Sequence, residues 1–250
     1  MVISCVLPTS HEEQLRLVEA CKAAGVGRFV PSFFGPIVPA RGILLLRDEK
    51  EDLLDHIKKL YVPYTAIDVG WWMQIALPRL PSGRIDRAVT LPPTTIAGDG
   101  NTETTLTDLR DVGRFVARII QDPRTLNQKV FAYGETGWTQ NKIWDLLEEK
   151  SGEKVERKYV PGEEIQAEID AGLAAVKDTG DINGLLRVVQ PQYQMTWGIR
   201  GDNTLEHAKY LGYLDARELY PDLAPRKFED FVDEVLQDKI TRPYEGRVWA

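Results

Sequence analysis

The first 69 residues alternate between short, mainly apolar runs and amphipathic helical patterns, and this alternation constrains the fold most strongly. The runs cover residues 2–7, 28–30 and 62–69, and helical patterns follow Ser10 and Asp48 between them. A strand–helix–strand–helix–strand order is typical of a parallel sheet that is covered on both faces. The sequence therefore predicts an α/β fold with a Rossmann-like parallel sheet.

The pattern changes after residue 70 and predicts a second, smaller lobe. Short strands are expected at residues 88–91, 94–97 and 102–106, and Asp108 is placed to cap the helix that follows. Residues 134–138 are expected to form a loop, and residues 228–236 a last amphipathic helix. We expect an α+β lobe that packs beside the parallel sheet.

Composition narrows the class of protein. The 250 residues are 43% hydrophobic and 28% charged, which is typical of a soluble globular domain. A net charge of −7 disfavours nucleic acid or an anionic membrane as a partner. The first residues carry no signal-peptide pattern, and Cys5 and Cys21 are expected to be buried free thiols. We therefore expect a cytoplasmic protein whose partner is a small molecule.

Several common chemistries have no matching motif. The three histidines are scattered, and no cysteine or histidine spacing suits a metal ion, so we expect no metal site. No serine lies in the Gly-x-Ser-x-Gly motif of hydrolases, and no glycine-rich phosphate loop is present. The tyrosine–lysine pair of ordinary short-chain dehydrogenases is also missing.

Lys50 is the residue most indicative of catalysis. It is expected in the first turn of its helix, where Leu54, Ile57 and Tyr61 continue the buried stripe. Burial and the positive end of the helix dipole both favour the neutral amine, which would suit a general base. The alternative is that the helix end frays and the side chain reaches water.

Three segments in this order resemble the isoflavone reductase-like branch of the NmrA-like family, a group of atypical short-chain dehydrogenases/reductases. They are the loop Pro31-Ser32-Phe33-Phe34-Gly35, Lys50, and the run Val62-Pro63-Tyr64-Thr65. Residues 195–214 resemble the C-terminal part of fungal members. The likeness covers essentially the whole chain.

The resemblance implies an NADPH-dependent reductase of a small, often aromatic substrate, such as a secondary metabolite, with Lys50 as general acid/base. Residues 1–70 would be part of the NAD(P)-binding domain, and residues 71–250 would add late strands and the substrate lobe. Besides Lys50, the implied cofactor-binding residues form two groups. Ser4, Cys5 and Val6 would border the adenine-side ribose, and Pro31, Ser32 and Phe33 would approach the nicotinamide side. The implied substrate-binding residues are Trp71, Trp72 and Trp138. The structural alternative for the Trp71–Trp72 pair is one core indole and one surface indole. A homodimer is also possible.

The sequence also departs from the family pattern. Phe33 replaces the glutamate of the family loop, and Leu54 replaces an arginine that many members carry one turn after the lysine. We expect the family's first strands, with their glycine-rich turn, to be missing from the chain as given, which leaves the sheet N-terminally incomplete. Two alternatives to a reductase therefore stay open: a dinucleotide-sensing regulatory protein without turnover, and a truncated inactive form.

Overall fold

The computed structural model describes residues 1–7, 10–179 and 182–243. Its strands are β1 (Val2–Ile3), β2 (Phe29–Val30), β3 (Thr65–Asp68), β4 (Trp71–Trp72), β5 (Ile96–Ala97), β6 (Thr104–Thr107), β7 (Gln128–Phe131), β8 (Glu135–Trp138), β9 (Tyr159–Val160) and β10 (Leu214–Asp215). Its α-helices are α1 (His11–Ala23), α2 (Leu45–Lys59), α3 (Leu109–Ile119), α4 (Gln140–Ser151), α5 (Gly162–Thr179), α6 (Ile182–Gln194), α7 (Leu205–Tyr210), α8 (Ala216–Leu219) and α9 (Phe228–Leu236). A π-helical segment, Met195–Arg200, continues α6.

The main sheet is parallel, as the sequence predicts. β1 pairs with β2, and an isolated bridge from Phe29 to Tyr64 joins β2 to the start of β3. β3 then pairs with β7, and β7 pairs with β10. The strands therefore follow the order β1-β2-β3-β7-β10, and the prediction of an α/β, Rossmann-like fold is confirmed.

Helices cover both faces of this sheet because neighbouring strand residues point in opposite directions. Phe29 packs with Val18 of α1 and Ile57 of α2 on one face. The next residue, Val30, packs on the other face in a cluster that contains Phe115 of α3. Asp108 accepts a hydrogen bond from the backbone N–H of Arg110, so the predicted cap of α3 is present.

The second half of the chain adds smaller sheets around another core. β4 pairs in parallel with β6, β6 pairs antiparallel with β8, and β5 pairs in parallel with β9. The largest buried cluster lies here and joins Trp71 and Trp197 to Trp144 of α4 and Phe231 of α9. Helix α9 has the predicted bounds. No helix in the described ranges is long and apolar enough to cross a membrane.

The first strand is shorter and more open than predicted. β1 has two residues, and its backbone pairs only with β2 in the described part of the chain. Ile3 is 40% exposed and Cys5 is exposed, so the prediction of a buried Cys5 is wrong, whereas Cys21 is buried. The reason is that no described strand covers the outer edge of β1.

Three other local predictions are wrong. Helix α2 begins at Leu45 rather than at Asp48, so Lys50 lies in its second turn, where the helix dipole acts less on the amine. Residues 88–91 form turns and no strand. Residues 135–138, expected in a loop, form strand β8 because β6 offers them an antiparallel partner.

Candidate active site

A crevice lies between α1, α2 and the loop that follows β2, and we call it the Lys50 crevice. It is lined by His11, Gln14, Ser32, Leu46, Glu49, Lys50 and Leu53. Ser32 follows the carboxyl end of β2, where parallel α/β sheets usually bind their ligands. The fold therefore places Lys50 at the edge of the sheet that is suited to ligand binding.

The Lys50 side chain is half-buried, and its ammonium group is held by the loop rather than by a carboxylate. Its Nζ donates a hydrogen bond to the backbone carbonyl of Phe33. The same Nζ lies 5.9 Å from the centre of the Phe33 ring. Leu54 and Ile57 continue the stripe below it and are buried as predicted, but Tyr61 lies beyond α2 and is 86% exposed.

This environment makes Lys50 a weaker base than an ordinary lysine. Burial lowers the pKa of Lys50 from 10.5 to about 8, and the positive charge of Arg47 acts in the same direction. The carboxylates of Asp68 and Glu49 oppose the change. A lysine with a pKa near the working pH can both donate and accept a proton, which is what a general acid/base requires.

Beside the crevice lies a buried charged network that we call the Arg47 network: Arg47, Glu51, Asp68 and Tyr213. Arg47 Nη1 donates to Asp68 Oδ2 at 2.7 Å, and Arg47 Nη2 donates to Glu51 Oε1 at 2.6 Å. Tyr213 donates to the same Asp68 oxygen at 2.6 Å. The Arg47 guanidinium also lies 5.1 Å from the centre of the Phe33 ring, so Phe33 faces two cations.

The predicted cofactor residues cluster at the ends of β1 and β2. Ser32 Oγ donates to the Val6 carbonyl at 3.0 Å, and the Ser32 N–H donates to Gln14 Oε1 at 3.0 Å. Ser4 is 2% exposed, and its hydroxyl oxygen is buried with no partner in the described part of the chain. Pro31 and Phe33 are also buried, and Cys5 is exposed.

The three predicted substrate residues lie in different places. Trp71 is buried, with its ring centre 5.2 Å from that of Tyr193 and 4.7 Å from that of Trp197. Trp72 is half-buried and donates its indole N–H to the Phe34 carbonyl at 3.1 Å. Trp138 packs edge-on against Phe228, outside the lining of the Lys50 crevice. Their substrate role stays a prediction.

A second, wider opening lies beyond the carboxyl ends of β7 and β10, and we call it the β7–β10 groove. Tyr133, Lys209, Asp215, Arg217 and Glu218 are part of its lining. Lys209 pairs with Glu218 at 2.5 Å, and Arg217 donates to the Gly134 carbonyl at 3.0 Å. Lys209 is therefore paired with a carboxylate, whereas Arg217 is bonded to a neutral carbonyl.

Five residues in this region were not predicted from the sequence: Arg47, Asp68, Tyr193, Trp197 and Tyr213. One signal was available: Asp68 is a carboxylate inside the otherwise apolar run of β3, and buried charges need partners. Tyr193 and Trp197 carried no comparable signal, because their ring contacts with Trp71 join distant parts of the chain. No group of metal-ligating side chains occurs among the described residues.

Comparison with known proteins decides the family. The NmrA-like family model matches residues 1–232 of the chain. The chain belongs to the NmrA-like family. The resemblance inferred from the loop at residues 31–35 and from Lys50 is thereby confirmed.

Individual relatives of this NmrA-like protein agree with the predicted enzyme class. It is 45% identical over 239 residues to Asnovolin J 5',6'-dehydrogenase nvfM of Aspergillus novofumigatus, covering 94% of this chain and 73% of the relative. A crystal structure of isoflavone reductase is 25% identical, with a TM-score of 0.73, covering 93% of this chain and 74% of that one. The structure of a leucoanthocyanidin reductase–NADPH complex from Vitis vinifera has a TM-score of 0.72 at 24% identity, covering 94% and 75% of the two chains. The prediction of an isoflavone reductase-like oxidoreductase is therefore confirmed at the level of class.

The residues of the Lys50 crevice fit one end of a nicotinamide cofactor. The Lys50 ammonium and the Gln14 amide line the crevice and offer polar contacts to a ribose and a carboxamide, and the unpartnered Ser4 hydroxyl is buried just beyond β1. The phosphate end has a poorer match among the described residues, because Glu12 and Glu13 occupy the first turn of α1 and repel anions there. The structure thus suits the nicotinamide side better than the pyrophosphate.

Proposed function

We propose that this NmrA-like protein is an NADPH-dependent reductase of a small aromatic or secondary-metabolite substrate, with Lys50 as general acid/base. The observation that carries the proposal is the half-buried Lys50 ammonium, bonded to the Phe33 carbonyl, with its pKa lowered to about 8. Pro31, Ser32 and Phe33 would approach the nicotinamide side of the cofactor, and Ser4, Cys5 and Val6 would border its adenine-side ribose. When bound, NADPH supplies the hydride.

Lys50 would manage the proton that accompanies the hydride. In reduction the ammonium donates a proton to the substrate oxygen, and in oxidation the neutral amine accepts it. The bond to the Phe33 carbonyl fixes the position of Nζ before the substrate arrives, and this lowers the entropic cost of orientation. Because this bond is to a neutral carbonyl, the lysine keeps the freedom to change its charge.

The aromatic cluster of Trp71, Tyr193 and Trp197 supports the substrate class. The indole N–H groups of Trp71 and Trp197 are buried with no partner in the described part of the chain. Aromatic rings favour flat apolar ligands, and an unpartnered N–H favours a hydrogen-bond acceptor. We therefore infer a flat substrate that carries a carbonyl or ether oxygen, with Trp71 and Trp72 nearer to it than Trp138.

The test is a titration of the full chain with NADPH and with NADP⁺, followed by tryptophan fluorescence, since six tryptophans are available. Consumption of NADPH is then measured with a panel of small aromatic enones and benzylic ethers. Binding with turnover supports the reductase. Equal affinity for both forms without turnover would favour the dinucleotide-sensing alternative, and absence of binding would favour the inactive form.

A further inference from the structure

Asp68 is the buried charge whose placement is least explained by folding alone. It ends strand β3 and is completely buried. Both donors that reach it, Arg47 and Tyr213, bind the same oxygen, Oδ2. The other oxygen, Oδ1, is buried with no partner among the described residues. An unpaired acceptor of this kind typically costs about 1–3 kcal/mol of stability, so packing does not account for it.

The geometry connects this carboxylate to Lys50. Arg47 and Lys50 are three residues apart on α2 and therefore lie on one face of the helix. Their cationic groups lie 5.1 Å and 5.9 Å from the centre of the same Phe33 ring. Asp68 is bonded to Arg47 and therefore lies against the face of α2 that carries both Arg47 and Lys50.

The charged groups around Lys50 come from three elements. Helix α2 contributes Arg47 and Glu49, strand β3 contributes Asp68, and α1 contributes His11 to the lining of the crevice. Among them Asp68 acts most strongly in favour of the charged form of Lys50. Glu51 also accepts hydrogen bonds from Arg47, but it lies at the partly exposed end of the network.

We propose that Asp68 is a positioning residue for Lys50: its buried carboxylate, fixed by Arg47 and Tyr213, holds the lysine in the crevice as an ammonium ion. Without this charge, burial and the neighbouring Arg47 would lower the fraction of Lys50 that is protonated near neutral pH and available to donate a proton. The unpaired Oδ1 keeps part of the carboxylate charge free of hydrogen bonds, so that it acts on the nearby cation. This inference rests on the proposed acid/base role of Lys50 and adds the group that controls it.

The experiment measures the titration of Lys50 directly. Lysines of the full chain are dimethylated with ¹³C-formaldehyde and a borohydride reductant, and Lys50→Arg identifies the Lys50 signal in NMR spectra recorded across pH. We expect a midpoint of about 8 in the unaltered chain. Asp68→Asn should lower it by about one pH unit, as loss of a close opposite charge does.

Glu51→Gln is the matched control, because it also removes one carboxylate that is bonded to Arg47. We expect its Lys50 midpoint to stay within about 0.3 of a pH unit of the unaltered chain, since that charge is partly screened by solvent. An unchanged midpoint in folded Asp68→Asn would overturn the proposal. An equal shift in both variants would also overturn it.

A second variant decides the matter if Asp68→Asn does not fold. Tyr213→Phe keeps the packing and removes one donor from Asp68, so more of the carboxylate charge acts on Lys50. Its midpoint should rise by about half a pH unit; no change, or a fall, contradicts the proposal. The titration uses neither NADPH nor substrate, so its failure is distinct from failure of the reductase assays.

Discussion

The Lys50 crevice and the β7–β10 groove both lie beyond the carboxyl ends of strands in one parallel sheet. The lysines in the two openings differ in their direct partners and in the direction of their pKa shifts. In the β7–β10 groove, Lys209 pairs with Glu218, and this hydrogen bond raises the pKa of Lys209. In the Lys50 crevice, the lysine is bonded to a neutral carbonyl, and burial lowers its pKa. At this edge of the sheet, the pKa of a lysine therefore depends on its burial and on whether its direct partner is charged.

The largest expected effect concerns turnover. Lys50→Ala should lower kcat by about 10²–10⁴-fold, because a general acid/base is lost, and the loss of affinity for NADPH should be much smaller than this factor. The measurement is steady-state NADPH oxidation together with a fluorescence titration. Lys209→Ala, in the β7–β10 groove, is the control and should leave kcat unaltered. Equal losses in both variants would remove the distinction between the two openings.

The next effect concerns stability and contrasts two arginines. Arg47→Ala leaves the buried Asp68 without its cation and should cost about 3–5 kcal/mol of unfolding free energy. Arg217→Ala removes an exposed guanidinium from the β7–β10 groove and should cost less than about 1 kcal/mol. Urea unfolding of both variants provides the comparison. Similar costs would show that the Arg47 network is no more essential than a surface contact.

A third prediction concerns the pH dependence of the rate. The ammonium form of Lys50 predominates below a pKa of about 8, so the rate of reduction should be constant there. Above that pH it should fall about tenfold per pH unit, whereas the rate of oxidation should rise up to about pH 8 and then level off. Rates of both reactions between pH 6 and about 10 test this. Profiles that run parallel in the two directions would exclude Lys50 as the titrating group.

The smallest expected effect is a gain in stability. The pKa of Lys50 in the folded chain lies below its ordinary value of 10.5. Below about pH 8 the buried ammonium group therefore destabilises the folded state. Lys50→Met should therefore stabilise the chain by about 1 kcal/mol at neutral pH, after allowance for partial exposure. The gain should shrink as the pH rises from 8 towards 10, because the lysine loses its proton in the folded state first. A gain that does not vary with pH would indicate a packing effect.

Much of the fold could be predicted because its signals are local. The cap at Asp108 and the stripe of α9 depend on residues a few positions apart, and both are present. The start of α2 was misplaced because Leu44 provides no capping side chain to mark it. Strand β8 was missed because a strand next to glycines forms only when a partner strand is available.

The sequence by itself determined the alternation of strands and helices and the family motifs around the loop at residues 31–35. It also identified Lys50 as the candidate general acid/base. Only the tertiary structure decided what surrounds that lysine. Three hydrogen bonds of the Arg47 network join residues separated by 21, 145 and 166 positions. Such contacts arise from the packing of α2, β3 and the segment before β10, which no local periodicity encodes, and the charge of a buried group depends on those contacts.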